Sequence, residues 1–408
     1  MKIEVDTVKG FQDFLPPQSL KRDAVKKIIE EQFKLHGFVP IETPIIEFEE
    51  LMKPDSLDEE DEAISDRFRL QDRAGRKLGL RYEFTFQLAR IFKQNPNIKL
   101  PFRRYQIGEV FRDEPVGPGR FRQFTQCDAD IIGDSSINAD AECLLLAKDI
   151  FDKLKIKTII EVNNRKLLDS IIESVQIADK KNVMRELDKI SKIGEDAVKV
   201  NLKKYADANQ IITLFKILTK DLGFFKENAF EGANELEDLI DACKALGFDV
   251  VFNPFMVRGF SYYTGNIFEI KVEETTISAG GRYDNSVGKF LGKQIPAVGI
   301  SFGLERITEL ANVNFETTKA IIISINENKS MIRLAKILRK EGISCITTSE
   351  KVGKALEYAN ALSIQNAIFI GEEEIEKKKF KLRDMKTGKE QLLTEKALIN
   401  ALKNKTRS

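Results

Sequence analysis

At 408 residues, 42% hydrophobic and 32% charged, the chain has room for two or three domains and the composition of a globular protein rather than a disordered one. Its 65 Lys and Arg almost cancel its 64 Asp and Glu, so no global basic field marks a nucleic-acid binder, and any such contact must use local patches. The single histidine, His36, removes Ser-His-Asp hydrolysis, histidine phosphotransfer and most zinc chemistries, each of which needs an imidazole in the site. Cys127, Cys143, Cys243 and Cys345 are scattered without a Cys-x-x-Cys pair, which speaks for buried small hydrophobes in a reducing compartment and against a His/Cys metal site. No apolar run reaches the length of a membrane span and the start, MKIEVDTVKGFQDFLPP, has no signal-peptide pattern, so the expectation is a cytoplasmic protein with no membrane partner.

In chain order, Gln18 to His36 carries Leu20, Ala24, Ile28 and Phe33 at helical spacing, and Gly37 ends the run. His36 is thereby placed to cap the helix dipole. A proline-bearing strand, Phe38 to Pro44, follows, and then an acidic stretch, Glu49 to Asp66, read as surface loop or short helices. Arg67 to Asp72 and Leu78 to Thr85 read as strands about the Asp72 to Gly75 turn, with a helix from Phe86 to Phe92. Glu83 and Thr85, two apart, share a face where the strand ends; a carboxylate and a hydroxyl suit an ammonium group, although Thr85 also fits a plain helix cap.

Phe102 to Gly133 reads as two strands joined by a Gly- and Pro-rich loop at Val116 to Gly119, which is expected to project as a mobile loop. Alternation puts Phe124, Gln126, Asp128 and Asp130 on one face and Phe121, Gln123, Thr125 and Cys127 on the other. A ring, an amide and two carboxylates opposite Arg112 suit a ligand flat at one end and cationic at the other; an amphipathic hairpin with a polar solvent face fits the alternation equally well. From Asn163 to Gly247 the pattern is helical and lysine-rich, without a catalytic signature. Val257 to Glu269 then sets Arg258 beside Tyr262 and Tyr263, and Ala279-Gly280-Gly281-Arg282-Tyr283 pairs glycines, which permit close backbone approach, with a second Arg-Tyr. Pro296 to Arg306 reads as a strand entering a helix with Arg306 in its first turn. Past Asn312 the strands Ala320 to Ile325, Ser344 to Thr348, Asn366 to Ile370 and Phe380 to Met385, with helices Lys329 to Lys340, Val352 to Leu362 and a closing one, form an α/β unit.

These segments resemble the class II aminoacyl-tRNA synthetases, and within them the histidyl-tRNA synthetases. Phe111-Arg112-Asp113-Glu114, a Gly-Arg loop and Arg122-Gln123-Phe124 look like motif 2; the helix and strand from Gln18 look like motif 1; Gly303-Leu304-Glu305-Arg306 looks like motif 3; and Arg258 to Tyr263 resembles the histidine-specific signature. Gln126-Cys127-Asp128-Ala129-Asp130-Ile131 follows the archaeal and eukaryotic form, with Asp where bacterial members carry Glu, and Ser261 stands where the family usually has Asp.

The resemblance implies a histidine–tRNA ligase: an α+β catalytic domain with a mixed, mainly antiparallel sheet over 1–162 and 248–312, a helical insertion domain over 163–247, and a C-terminal α/β anticodon-binding domain over 318–408. It further implies ATP as substrate with Mg²⁺, histidine and tRNA(His) as partners, and a homodimer. Arg112 and Arg258 would be catalytic, on the α-phosphate. Glu83, Thr85, Gln126, Asp130, Tyr262, Tyr263 and Tyr283 would bind histidine, with Asp130 and Tyr263 on the two imidazole nitrogens. Arg112, Glu114, Phe124 and Arg306 would bind ATP. The alternatives are the synthetase-like regulatory subunit of ATP phosphoribosyltransferase, which typically lacks the anticodon-binding domain and the Arg-Tyr signature, a related class IIa ligase, and a non-catalytic tRNA-binding module.

Overall fold

The computed structural model describes residues 5–52, 66–117, 119–258, 262–315 and 317–404; most of the acidic 49–66 stretch, Pro118 and Ser261 lie outside them. The chain divides into two compact units, 1–313 and 314–408.

The first unit opens with helix α1 (Gln18–Leu35), whose Val25, Ile29 and Phe33 are buried. Pro44 and Pro40 restrict the predicted strand after it: only β1 (Val39–Pro40) pairs, at a sheet edge where a missing N–H costs least. β2 (Ile46–Phe48), β3 (Arg69–Gln71) and β4 (Lys77–Leu80) make a small antiparallel sheet, and α2 (Phe86–Gln94) follows. The predicted strand through Thr85 stops at Leu80. Beyond it the Glu83 carboxylate accepts the Thr85 and Phe86 N–H groups at 2.5 and 2.6 Å, and this local bonding bends the chain into the start of α2. Thr85 occupies the cap position without a side-chain cap bond, so the capping is done by Glu83.

The main sheet has eight strands in the order β1-β5-β6-β11-β10-β9-β7-β8. These are β5 (Phe102–Phe111), β6 (Gln123–Ile132), β7 (Ile159–Asn164), β8 (Val251–Phe252), β9 (Asn266–Val272), β10 (Thr275–Arg282) and β11 (Ala297–Gly303). The outer pairs β1–β5 and β7–β8 are parallel and all others antiparallel, giving the mixed, mainly antiparallel sheet. One face is covered by α1 and by α3 (Ile137–Lys153), with Phe33, Phe151 and Phe302 in ring contact between helices and sheet. Seven helices between Arg165 and Ala245 connect β7 to β8, and their buried Leu167, Leu214 and Phe225 join the same hydrophobic core as Val298. After β11 the short helix α4 (Leu304–Leu310) begins.

The second unit is a five-stranded sheet, order β13-β12-β14-β15-β16, built from β12 (Ala320–Ser324), β13 (Cys345–Thr348), β14 (Asn366–Ile370), β15 (Phe380–Asp384) and β16 (Glu390–Leu393). Its first three strands are parallel, and the two inner ones, β12 and β14, read as near-continuous apolar runs with all five residues of each buried. A short helix, Glu372–Glu376, and the strand β16 are elements the hydrophobic pattern did not mark.

Candidate active site

The face of the main sheet opposite α1 and α3 holds a cavity of about 660 Å³, and strand register explains its shape. Gln126, Asp128 and Asp130 of β6 project there, as their alternation predicts. In the adjoining strand β11 the partners of these three residues are Gly303, Ser301 and Gly299, and in β10 the partners of Ser301 and Gly299 are Ala279 and Gly281. Small residues on two central strands thus leave a hollow beside the polar strand. The glycines are required: a Cβ on Gly299 would lie 2.0 Å from Asp130 Oδ1, and one on Gly281 would lie 3.0 Å from the Tyr263 ring.

All twelve residues expected to contact substrates line this cavity. At one end Arg112, just past β5, has its guanidinium carbon 4.3 Å from the Tyr82 ring centroid and 5.0 Å from that of Phe124. Its Nη2 is 3.5 Å from Gln126 Oε1, and Nη1 is 3.8 Å from Glu114. The loop tip between β5 and β6 closes on itself, with the Arg120 N–H bonded to the Gly117 carbonyl at 2.9 Å. Arg258 pairs with Glu269 of β9 at 2.9 Å, while Arg306 donates to the Thr276 carbonyl at 2.7 Å. Burial, then the charges of Arg120 and Arg258, pull the Arg306 guanidinium below its usual range. Three arginines crowding one end of a cavity is an arrangement that anionic oxygens relieve.

The other end is enclosed. Tyr262 and Tyr263 have ring centroids 4.3 Å apart, and Tyr283 meets Tyr262 edge-on at 6.4 Å. Burial pushes Tyr263 up to about 12, so its phenol keeps the proton. Burial raises Glu83 and Asp130 above the carboxylate range, and Asp128 to about 7. The arginine of the Gly-Gly-Arg-Tyr segment is not part of the cavity: Arg282 points to the opposite face and pairs with buried Asp140 of α3.

Sequence reasoning missed several residues at or beneath the cavity. Arg104 of β5 is fully buried beneath the pocket, with Nη2 2.7 Å from Asp130 Oδ2. In a strand, one of the consecutive pair Arg103 and Arg104 must face inward, so a signal existed. Ser301 accepts from Gln126 Nε2 at 2.6 Å, and Arg185, Lys189 and Lys192 reach the cavity from the helical stretch, where nothing separated them from its other lysines. Among the described residues no three His, Cys, Asp or Glu side chains gather to hold a metal ion. His36 stands at the C-terminus of α1, yet its ring turns away from the helix end to Glu142 at 2.9 Å and Asp149 at 3.0 Å on α3.

The pattern of the family described as histidyl-tRNA synthetase matches residues 10–307, and that of the anticodon binding domain matches residues 319–405. The chain belongs to the histidyl-tRNA synthetase family. It is 38% identical to histidine–tRNA ligase 1 of Bacillus cereus, an alignment covering 98% of this chain and all of the relative. It is 34% identical to histidine–tRNA ligase 2 of Shouchella clausii over 96% of this chain and 98% of that one. Among solved structures, histidyl-tRNA synthetase from Nostoc sp. superposes with a TM-score of 0.86 at 27% identity, covering 99% of this chain and 100% of the other. A protein titled ATP phosphoribosyltransferase regulatory subunit/histidyl-tRNA synthetase, from Bacillus halodurans, shares the fold at a TM-score of 0.74 and 20% identity, over 90% and 99% of the chains. The family fold includes this mixed sheet and the separate C-terminal sheet unit.

Proposed function

We propose that the cavity performs the two half-reactions of a histidine–tRNA ligase. The protein is an aminoacyl-tRNA ligase that uses ATP, histidine and tRNA. The observation that carries the residue assignment is the convergence of all twelve expected residues on one cavity, cationic at one end and walled by tyrosines and carboxylates at the other. In the first step a histidine carboxylate oxygen attacks the α-phosphorus of ATP, forming the acyl-phosphate bond as the bond to pyrophosphate breaks. Arg112 and Arg258 would neutralise the charge that builds on the α-phosphate, Phe124 would stack on adenine, and Arg306 and Glu114 would hold the rest of the nucleotide. Glu83 and Thr85 accept from the α-ammonium, Gln126 bridges towards Arg112, and Tyr263 with Asp130 address the imidazole between the walls of Tyr262 and Tyr283. In the second step the terminal ribose hydroxyl of tRNA takes the acyl group and AMP leaves. Positioning and charge stabilisation supply the rate; no strong base is required.

Among the described residues no three His, Cys, Asp or Glu side chains gather to hold a metal ion; Mg²⁺ would enter with the nucleotide and supply positive charge to its phosphates. A homodimer through motif 1 is supported by the exposed apolar side chains Leu35, Val39, Ile46 and Phe48 around α1 and the edge strand. A cytoplasmic setting is supported by four free, buried cysteines.

The test is ATP–pyrophosphate exchange with each amino acid supplied singly. Exchange is expected with histidine alone and is expected to fall by about 10²- to 10³-fold in Arg258→Ala, the range for removing one group that stabilises developing charge. Absence of exchange with every amino acid, with histidine still raising the melting temperature, would instead favour a histidine-sensing regulatory role.

A further inference from the structure

Strand β11 stops pairing with β6 at Gly303, which faces Gln126, and the chain then turns into α4. The next residue of β6, Thr125, is buried, and an N–H left unpaired there would be costly. Glu305 meets it. The Thr125 N–H donates to Oε1 at 3.0 Å and to Oε2 at 3.1 Å, so a side chain of α4 continues the edge that β11 has left. Arg22 of α1 completes the joint: its Nη1 lies 2.5 Å from Glu305 Oε1, its Nη2 donates to the Thr125 hydroxyl, and its guanidinium carbon is 4.1 Å from the Phe14 ring centroid. The Glu305 side chain is 6% exposed and that of Arg22 17%, so water screens the pair little. On either side of the joint stand residues of the cavity. Thr125 is flanked by Phe124 and Gln126, and Glu305 is followed by Arg306.

We propose that Glu305 is a positioning residue for ATP, with Arg22 as the cation that fixes it: the joint to Thr125 sets the separation between Phe124 on β6 and Arg306 on α4, the residues assigned to the adenine and to the rest of the nucleotide. The inference rests on the ligase reading of the site and concerns its nucleotide end. Thr125 and Glu305 are 180 residues apart in sequence, so the placement of their neighbours relative to one another depends on contacts of this kind. A ligand that must touch both neighbours binds better when their separation is set before it arrives. The residue type follows from the donors present. A backbone N–H and a guanidinium both need acceptors, and a carboxylate offers two oxygens and a charge, whereas an amide would turn one acceptor into a third donor.

The isosteric variant Glu305→Gln, taken through a cycle with Arg306→Ala, separates positioning from plain structural support. In histidine-dependent pyrophosphate exchange Glu305→Gln should raise the KM for ATP at least about fivefold, with the KM for histidine within about twofold of the parent. In the Arg306→Ala background the same substitution should raise the ATP KM by less than about twofold, because the separation it disturbs has lost one of its ends. A generally loosened fold would act alike in both backgrounds and on both substrates. A smaller rise in the ATP KM, an equal rise in the histidine KM, or the same factor in the two backgrounds overturns the proposal. If Glu305→Gln does not fold, Arg22→Met goes through the same cycle: a rise in the ATP KM of at least about threefold that disappears with Arg306→Ala supports the assignment, and any other result overturns it. Lack of exchange by the unsubstituted protein would sink the ligase reading itself, an outcome distinct from these.

Discussion

Gly299 shows how little freedom single residues have at this site. Its missing side chain is the space that the Asp130 carboxylate occupies, with Oδ1 2.0 Å and Cγ 2.7 Å from where a Cβ would stand. Gly299→Ala should therefore both push the carboxylate off Arg104 and strain β11, costing about 1–3 kcal/mol, the range for overpacking a tight core. A melting curve together with the histidine KM checks this; an alanine variant that melts and binds like the parent would mean that the strand yields without disturbing the Arg104–Asp130 pair. Arg112, Phe124 and Tyr263 are singled out by their resemblance to synthetase motifs, and the fold brings all three to one cavity. Arg104 could not be distinguished from Arg103, because its importance arises only where the register with Asp130 is known.

The joint between α1 and α3 illustrates what is added when elements meet. His36 ends α1, and the helical spacing and Gly37 located it correctly, but its partners lie on a helix more than a hundred residues later. The Glu142 hydrogen bond, followed by that of Asp149, raises the His36 pKa above its ordinary value despite the opposing effect of burial, and Arg103 approaches Glu142 at 3.3 Å. A raised folded-state pKa means that the stabilisation is fully present below the unfolded value of about 6.5 and is lost as pH climbs through the folded value. The melting-temperature difference between the parent and His36→Gln should accordingly be larger near pH 6 than near pH 8.5; equal differences at the two pH values would show that the imidazolium is not the stabilising form. The same contrast runs through the fold. Periodicity located α1, the β5–β6 hairpin and the parallel strands of the second unit closely. It overran the strand ending at Leu80, where a side chain outside the hydrophobic pattern takes over backbone hydrogen bonds, and it passed over β16, an edge strand with three of its four residues exposed.

At the scale of the whole molecule the near-zero net charge has a practical meaning. With 65 cationic and 64 anionic side chains, the net charge supplies no overall field to draw in tRNA, and its phosphates must be met by local clusters of cations. Counterion release still applies to each phosphate contact. Raising salt from about 50 to about 200 mM should therefore increase the KM for tRNA in aminoacylation by about tenfold or more, while histidine-dependent pyrophosphate exchange shifts by less than about twofold. Parallel salt titrations of the two assays check this, and an equal response in both would place the salt effect in the amino-acid or nucleotide site.

The pairing of β6 with β11 sets an order of events during synthesis. Residues 123–132 carry the carboxylates, but the strand that walls them in, residues 297–303, lies far downstream. At roughly 5–20 residues per second of elongation, the hairpin bearing Asp128 and Asp130 waits on the order of ten to thirty seconds on the ribosome before its neighbour exists. Throughout that interval the two aspartates face water, where they are comfortable as charges, and the site exists as residues without a cavity. A complete cavity is thus a late acquisition of the nascent chain, and a ribosome stalled before residue 297 displays β6 without the strand that walls it in.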